Sequence, residues 1–124
     1  MNYEIDIKNY IEAGVGELKG KLYPVITTDL EMSVVYNFSP ISGGHLKQSQ
    51  LELIVIGKDY DACKEIEHKL LDLLDMEEDD PFQRYGNTRF HSSVSGGGVL
   101  FNDGCQMWED TMYFIMDWRN ISER

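Results

Sequence analysis

The sequence predicts an α+β domain: a mainly antiparallel sheet of about four to five strands with two helices packed on one face. Three observations lead there. Two segments place apolar residues on one face of a helix, at i, i+3, i+4 and i+7. Four other segments alternate side chains with the period of a strand. The order α–(β)–β–β–α–β–β sets strands beside one another in the chain, and sequential strands most cheaply pair as neighbours.

The first helix is expected over residues 3–18, where Ile7, Tyr10, Ile11, Gly14 and Leu18 form the buried stripe. Asn2 is placed to cap it, with Glu4 and Asp6 in the first turn facing the positive end of the helix dipole. Gly14 and Gly16 weaken its last turn and Gly20 stops it. Residues 22–25 (LYPV) read as an extended segment, and Pro24, which has no N–H, puts it at a sheet edge or strand entry.

Residues 31–39 form a strand with Val34, Tyr36 and Phe38 on one face and Val35 on the other. Residues 39–44 (SPISGG) read as a turn or flexible loop. A second strand follows at 47–57, where Leu51, Leu53 and Val55 alternate with Glu52, Ile54 and Ile56. The apolar character of both faces toward Ile56 predicts cover on both sides there.

The second helix spans 60–75, with Cys63, Ile66, Leu70, Leu73 and Leu74 as its stripe and Asp59 as its cap. An acidic run from Asp72 through Asp80 leads to Pro81. Carboxylates oppose the dipole at a helix C-terminus, so the helix ends near Asp75 and a solvated loop follows. Residues 88–95 form a third strand, broken by Gly96, Gly97 and Gly98, which read as a hairpin tip or a bulge. The last strand is 107–118. Met112, Phe114, Met116 and Trp118 alternate with Thr111, Tyr113, Ile115 and Asp117, which suits a central strand or one covered by a partner. Loops 39–47 and 77–87 are expected to be the most mobile internal segments.

The chain has 124 residues, enough for one domain spanning 1–124 but not for two cores. Its formal net charge is −11, and no basic cluster is present to hold a phosphate backbone or an anionic membrane. The reading therefore expects neither direct nucleic-acid recognition nor a membrane partner. Cys63 and Cys105 are too sparse for a disulfide framework, and no N-terminal leader or membrane-length apolar run is evident. A reducing cytoplasm follows as the expected compartment.

Candidate chemistry is thin. His45, His68 and His91 lie more than 20 residues apart, so no pair has helical metal-ligand spacing. Cys63 and His68 are five apart and project to different helix faces; Cys105 has no base placed beside it. The acidic run lacks the spaced ligands and central glycine of a calcium loop. The glycine triplet is not followed by a helix, as a phosphate cradle requires. No catalytic residue, cofactor or metal is expected, and the domain should fold without metal. The surplus lies in aromatics and methionines of the last quarter. Tyr113, Ile115, Trp118 and Trp108 are the candidate interface residues, on a strand with more apolar surface than a two-layer domain covers.

The order of these features resembles the tail-terminator proteins, also described as minor tail or minor capsid proteins, of long-tailed bacteriophages and prophages. The resemblance rests on the N-terminal helix, LYPV at 22–25, SVVYN at 33–37 and QSQLELIVIG at 48–57. It continues through the helix at 59–75, SGGGVLF at 95–101 and WEDTMYFIMDW at 108–118. The acidic run at 75–80 departs from it. The resemblance implies a non-catalytic structural protein that forms a ring, usually of six copies, on the head-proximal end of the tail tube. Its partners would be itself, the tail tube protein and the head–tail connector protein. It would assemble in the host cytoplasm and end in the virion tail. A net negative charge suits a lumen through which DNA passes without sticking. The competing reading is a non-catalytic adaptor or small-ligand-binding α+β domain, marked by a pocket with convergent polar groups.

Overall fold

A computed structural model describes residues 3–24 and 31–121. The proposed cap Asn2 and residue Val25 lie outside the described residues. Helix α1 runs Tyr3–Gly14 and a short 3₁₀ turn covers Gly16–Leu18. Strands β1 (Leu22–Pro24), β2 (Ser33–Ser42) and β3 (Lys47–Gly57) precede helix α2 (Tyr60–Leu74). Strands β4 (Gln83–Tyr85), β5 (Thr88–Asn102) and β6 (Met107–Asn120) follow.

The strands form one six-stranded sheet in the order β1-β2-β3-β6-β5-β4. All neighbouring pairs are antiparallel except β1–β2, which is parallel. The α+β class stands, while the expected four to five strands become six. The extra strand is β4, three residues inside the expected 77–87 loop, which pair with Thr88–Phe90. Three residues carry little periodicity of their own, and the tight turn at Gly86 supplies the pairing. The segment 39–44 is also corrected. Pro40 and Ser42 remain in β2 opposite Ser49 and Gln48, with an extra residue between them, so the loop shrinks to residues 43–46. The first helix is shorter than expected: its last α-helical bond runs from the Val15 N–H to the Ile11 carbonyl at 2.8 Å, and the chain then tightens into the 3₁₀ turn.

Both helices lie on one face of the sheet. Ile7, Ile11 and Leu18 meet Leu70, Leu74 and the inward residues of β3 and β6 in one core. The inward set on β6 is Met112, Phe114, Met116 and Trp118, as the alternation predicts. Gly14 lets the two helices approach: a Cβ there would stand 2.7 Å from a Leu73 methyl. Asp59 caps α2, accepting the Asp61 backbone N–H at 3.0 Å. Asp6 does more than face a dipole. It is buried, accepts the Thr88 hydroxyl at 2.8 Å and the Asn87 N–H at 3.2 Å, and so ties α1 to the β4–β5 turn.

The opposite face of the sheet carries no helix among the described residues. Ile54 and Ile56 are half-buried there, so the two-sided cover expected for the end of β3 is not supplied by the described residues. β6 is central, between β3 and β5. The glycine triplet does not end β5. The strand passes through a bulge between Val94 and Gly96 and continues to Asn102, making a long hairpin with β6 whose turn is residues 103–106.

Candidate assembly surfaces

The four candidate interface residues divide between the two faces of the sheet. Tyr113 and Ile115 stand on the open face. Ile115 lies in register with Gln50 on one side and Ser93 on the other. Tyr113 lies opposite Glu52, and the hydrogen bond to that carboxylate raises the phenol above its ordinary pKa. Gln48 donates to Asp117 across the same two strands at 3.0 Å. The open face is thus a ladder of polar pairs with apolar residues between them, more mixed than the run of aromatics suggests.

Trp118 and Trp108 point to the helix side. Trp118 is 9% exposed; its ring stacks on Tyr3 with centroids 3.7 Å apart, and its indole N–H donates to the Ser49 hydroxyl at 3.0 Å. It holds α1 to the sheet. Trp108 packs edge-on against Tyr60 of α2 and Phe101 of β5, with centroid separations of 5.0 and 4.9 Å. The alternation along β6 already assigned Trp118 and Tyr113 to opposite faces; the presence of a helix over one face alone decides which is covered.

A surface that composition did not single out is the outer half of β5. β4 pairs only with Thr88–Phe90. Next, the chain after α2 takes two groups: Met76 N–H donates to the Ser92 carbonyl at 2.9 Å, and Asp75 accepts the Val94 N–H at 3.0 Å. From Ser95 to Asn102 no described strand lies on that side. Eight large hydrophobics are exposed among the described residues, and four of them, Val94, Val99, Leu100 and Phe101, lie on this one strand. Exposed tyrosine Tyr60 adjoins them through Trp108. The signal was present in the sequence as SGGGVLF, but glycine's turn-forming character masked a strand.

The remaining candidates stay apart. His45 meets Arg119, His68 lies 3.8 Å from Glu67, and His91 contacts the Glu77 carbonyl at 2.7 Å. No group of three or more metal-ligating side chains occurs among the described residues. Cys63 is buried under α2; burial first, then the Asp110 and Asp59 charges, raises its thiol pKa and keeps it a poor nucleophile. Cys105 is exposed in the β5–β6 turn. No described helix is long and apolar enough to cross a membrane.

One polar contact lies inside. Asp110 is 1% exposed, and neither carboxylate oxygen receives an N–H or hydroxyl from the described residues. Its neighbour across the α2–β6 joint is Glu67, which Lys64 holds at 3.1 Å. Two ionised carboxylates cannot hydrogen-bond, so a bond between these two would need a proton on one of them. Burial, then the Glu67 contact, pushes Asp110 up to about 7. Burial works to raise Glu67 as well, but the bond from Asp110 and the Lys64 ammonium outweigh it and its pKa is lowered.

Among the described residues these features define a two-layer α+β protein with an open sheet face and an open strand edge. No family model matches the chain, and no curated protein matches it. Solved structures do. One is a chain in the virion of a native gene transfer agent particle, similar at a TM-score of 0.58 and 12% identity, over 87% of this chain and 83% of that one. A second solved protein is similar at a TM-score of 0.64 and 10% identity, over 94% of this chain and 90% of that one. At such identities the likeness is one of fold.

Proposed function

We propose that this chain is a structural protein of a phage-like virion and, more finely, a tail terminator. The observation that carries the reading is the shared fold with a component of a gene transfer agent virion over most of both chains. The order of sequence elements that resembles tail terminators supports the finer role. So does the concentration of exposed apolar surface on one strand, β5, whose outer side carries no described strand beyond Phe90. In this reading the chain is not an enzyme. It forms a ring, of about six copies by the resemblance, on the end of the tail tube, contacting the tube protein below and the head connector above. It assembles in the host cytoplasm and stays in the virion tail. A ring also allows weak single interfaces, since a templating tube end lets many contacts act together.

Deleting the gene from the particle that encodes it is the test. Electron microscopy should show tails of irregular, excessive length that fail to join heads. Tails of normal length joined to heads would rule the terminator role out and leave the adaptor reading in front.

A further inference from the structure

Backbone alternation shows which groups the open part of β5 offers. Ser92 and Val94 direct their backbone groups away from β6, toward residues 75 and 76. In an antiparallel pair this direction alternates, and the bulge between Val94 and Gly96 shifts it by one. The outward residues beyond the bulge are therefore Gly97, Val99 and Phe101. Their side chains lie on the helix face, where Phe101 meets Trp108. Gly98 and Leu100 turn to the open face, and Leu100, at 55%, is the most exposed large hydrophobic among the described residues. The boundaries of the described residues lie far from this edge. Tyr3 stacks on Trp118, the Ile121 N–H donates to Asn87, Pro24 pairs with Tyr36, and Glu31 meets Lys21 beside β1. β1 stands four strand spacings, about 19 Å, from β5.

Charge says which partner suits the edge. Residues 92–102 contain no Asp, Glu, Lys or Arg, in a chain of net charge −11. Two copies repel across most contacts, and least where neither brings charge. A strand of opposite charge would be drawn to the acidic surfaces instead. A neutral, apolar strand edge in so acidic a chain therefore fits a second copy of itself, the added strand supplying backbone bonds and the side chains apolar contact.

We propose that two copies of the free chain pair through β5, edge to edge and antiparallel, about a two-fold axis at Leu100. Groups already in place select that centre. Centred on Val99, the pairing would carry Asp103 and Gly104 of the second copy to Ser95 and Val94, where the Asp75 carboxylate holds the backbone N–H. Centred on Leu100, the same two residues stop at Gly97 and Gly96, clear of Asp75. Asn102 folds that turn back by accepting the Gly104 N–H at 2.9 Å. Val99 then faces Phe101 of the second copy and Phe101 faces its Val99, and each pair exchanges both backbone bonds. On the helix face these four side chains form one apolar cluster, widened by Trp108 and Tyr60 of each copy. On the open face the two Leu100 side chains meet across a narrow pair. Helix α2 leaves the approach open, running from Tyr60 beside Trp108 to Leu74, whose carbonyl accepts the Ser92 hydroxyl on the other side of the bulge. A two-fold contact closes at two copies and does not propagate. The pair thus goes beyond the ring reading: it is the state of the free chain, and it opens before β5 can serve in a ring.

A single cysteine reads the axis. In a Cys105→Ser background, Leu100→Cys sets two thiols across the two-fold with Cα atoms about 4.5 Å apart, within disulfide range. Gly98→Cys is the control. Its Cβ meets no atom within 4 Å, and it shares the face of Leu100, but in this register its own copy lies about 13 Å along the seam. Native Cys63 is buried. Each protein is concentrated, oxidised and run on a non-reducing denaturing gel. The expected result is a covalent dimer and no higher species from Leu100→Cys, with about a tenth as much or less from Gly98→Cys. The mass of the native chain should rise toward two copies with concentration. Val99→Pro deletes an outward N–H in each copy and no bond to β6, so it should weaken that association about tenfold or more while circular dichroism stays unchanged. Equal crosslinking of the two cysteine variants would mean random collision and overturn the pairing. A native chain that stays monomeric at the highest concentration would overturn it too, and leave the edge to a strand of an unlike protein. Closed rings in the microscope, with Leu100→Cys uncrosslinked, would overturn the pair and leave the ring reading standing. A covalent dimer alongside normal tails in the gene deletion would keep the pair and remove the terminator role.

Discussion

Asp110 shows how one residue sets a solution property of the whole domain. The groups facing it are Glu67, Lys64 and Cys63 from α2; its register partners Val55 on β3 and Val99 on β5 are neutral. Its folded pKa, about 7, lies above the ordinary carboxylate value of 3.8. The folded state therefore keeps a proton that the unfolded chain releases between those values. Stability from this site is present at the acid end and is lost as pH rises toward neutrality. Asp110→Asn removes the titration while keeping the shape and a donor to Glu67. The melting temperature of the native chain relative to this variant should fall by several degrees between about pH 5 and about pH 8. A gap that stays constant across that range would show that Asp110 is ionised throughout. Asp6 is the other residue whose role depends on what surrounds it. Sequence places it in a helix first turn; the fold places the Gly86 turn, with φ +59°, directly against its carboxylate.

At the scale of elements, β5 carries the most meaning. Its glycines differ although they are adjacent. A Cβ on Gly97 would run into the Thr111 backbone carbonyl of β6, whereas Gly98 faces open space. Gly97→Ala should destabilise the domain by about 1–3 kcal/mol, as overpacking against backbone does. Gly98→Ala should stay within about 0.5 kcal/mol of the parent. Urea unfolding of the two variants checks the pair, and equal costs would mean that β5 does not pass as close to β6 as the register implies. The two loops expected to be mobile also look different as elements. Residues 39–42 belong to β2, and residues 77–80 form a turn in which Asp80 accepts the Glu77 N–H at 2.8 Å.

On the scale of the whole molecule, charge opposes assembly. Each copy brings −11, and the proposed ring would gather several such charges within a short distance. Repulsion between copies is screened by salt, with a Debye length of about 10 Å at 0.1 M. With that repulsion screened, self-association should strengthen as ionic strength rises. Mass measured against salt at fixed protein concentration checks this. Association that weakens with salt would mean that opposite charges hold the copies together.

Hydrophobic period was enough to determine the class, the limits of β3 and nearly those of α2, and the split of β6 into two faces. Those features follow from local geometry: a side chain's direction along a strand or helix depends only on its position in that element. The sequence also placed Cys63 inside and kept the three histidines apart. Only the tertiary structure decided which face of β6 lies under the helices, and therefore that Trp118 binds α1 while Tyr113 faces outward. Only it brought Asp6 to Thr88, 82 residues away, and set Asp110 beside Glu67. It also turned a glycine run into a strand, because β6 supplies a ladder that glycine's own conformational freedom does not oppose strongly enough. Pairing between distant segments depends on where other elements end, and β4 ends early. That early end leaves the β5 edge open.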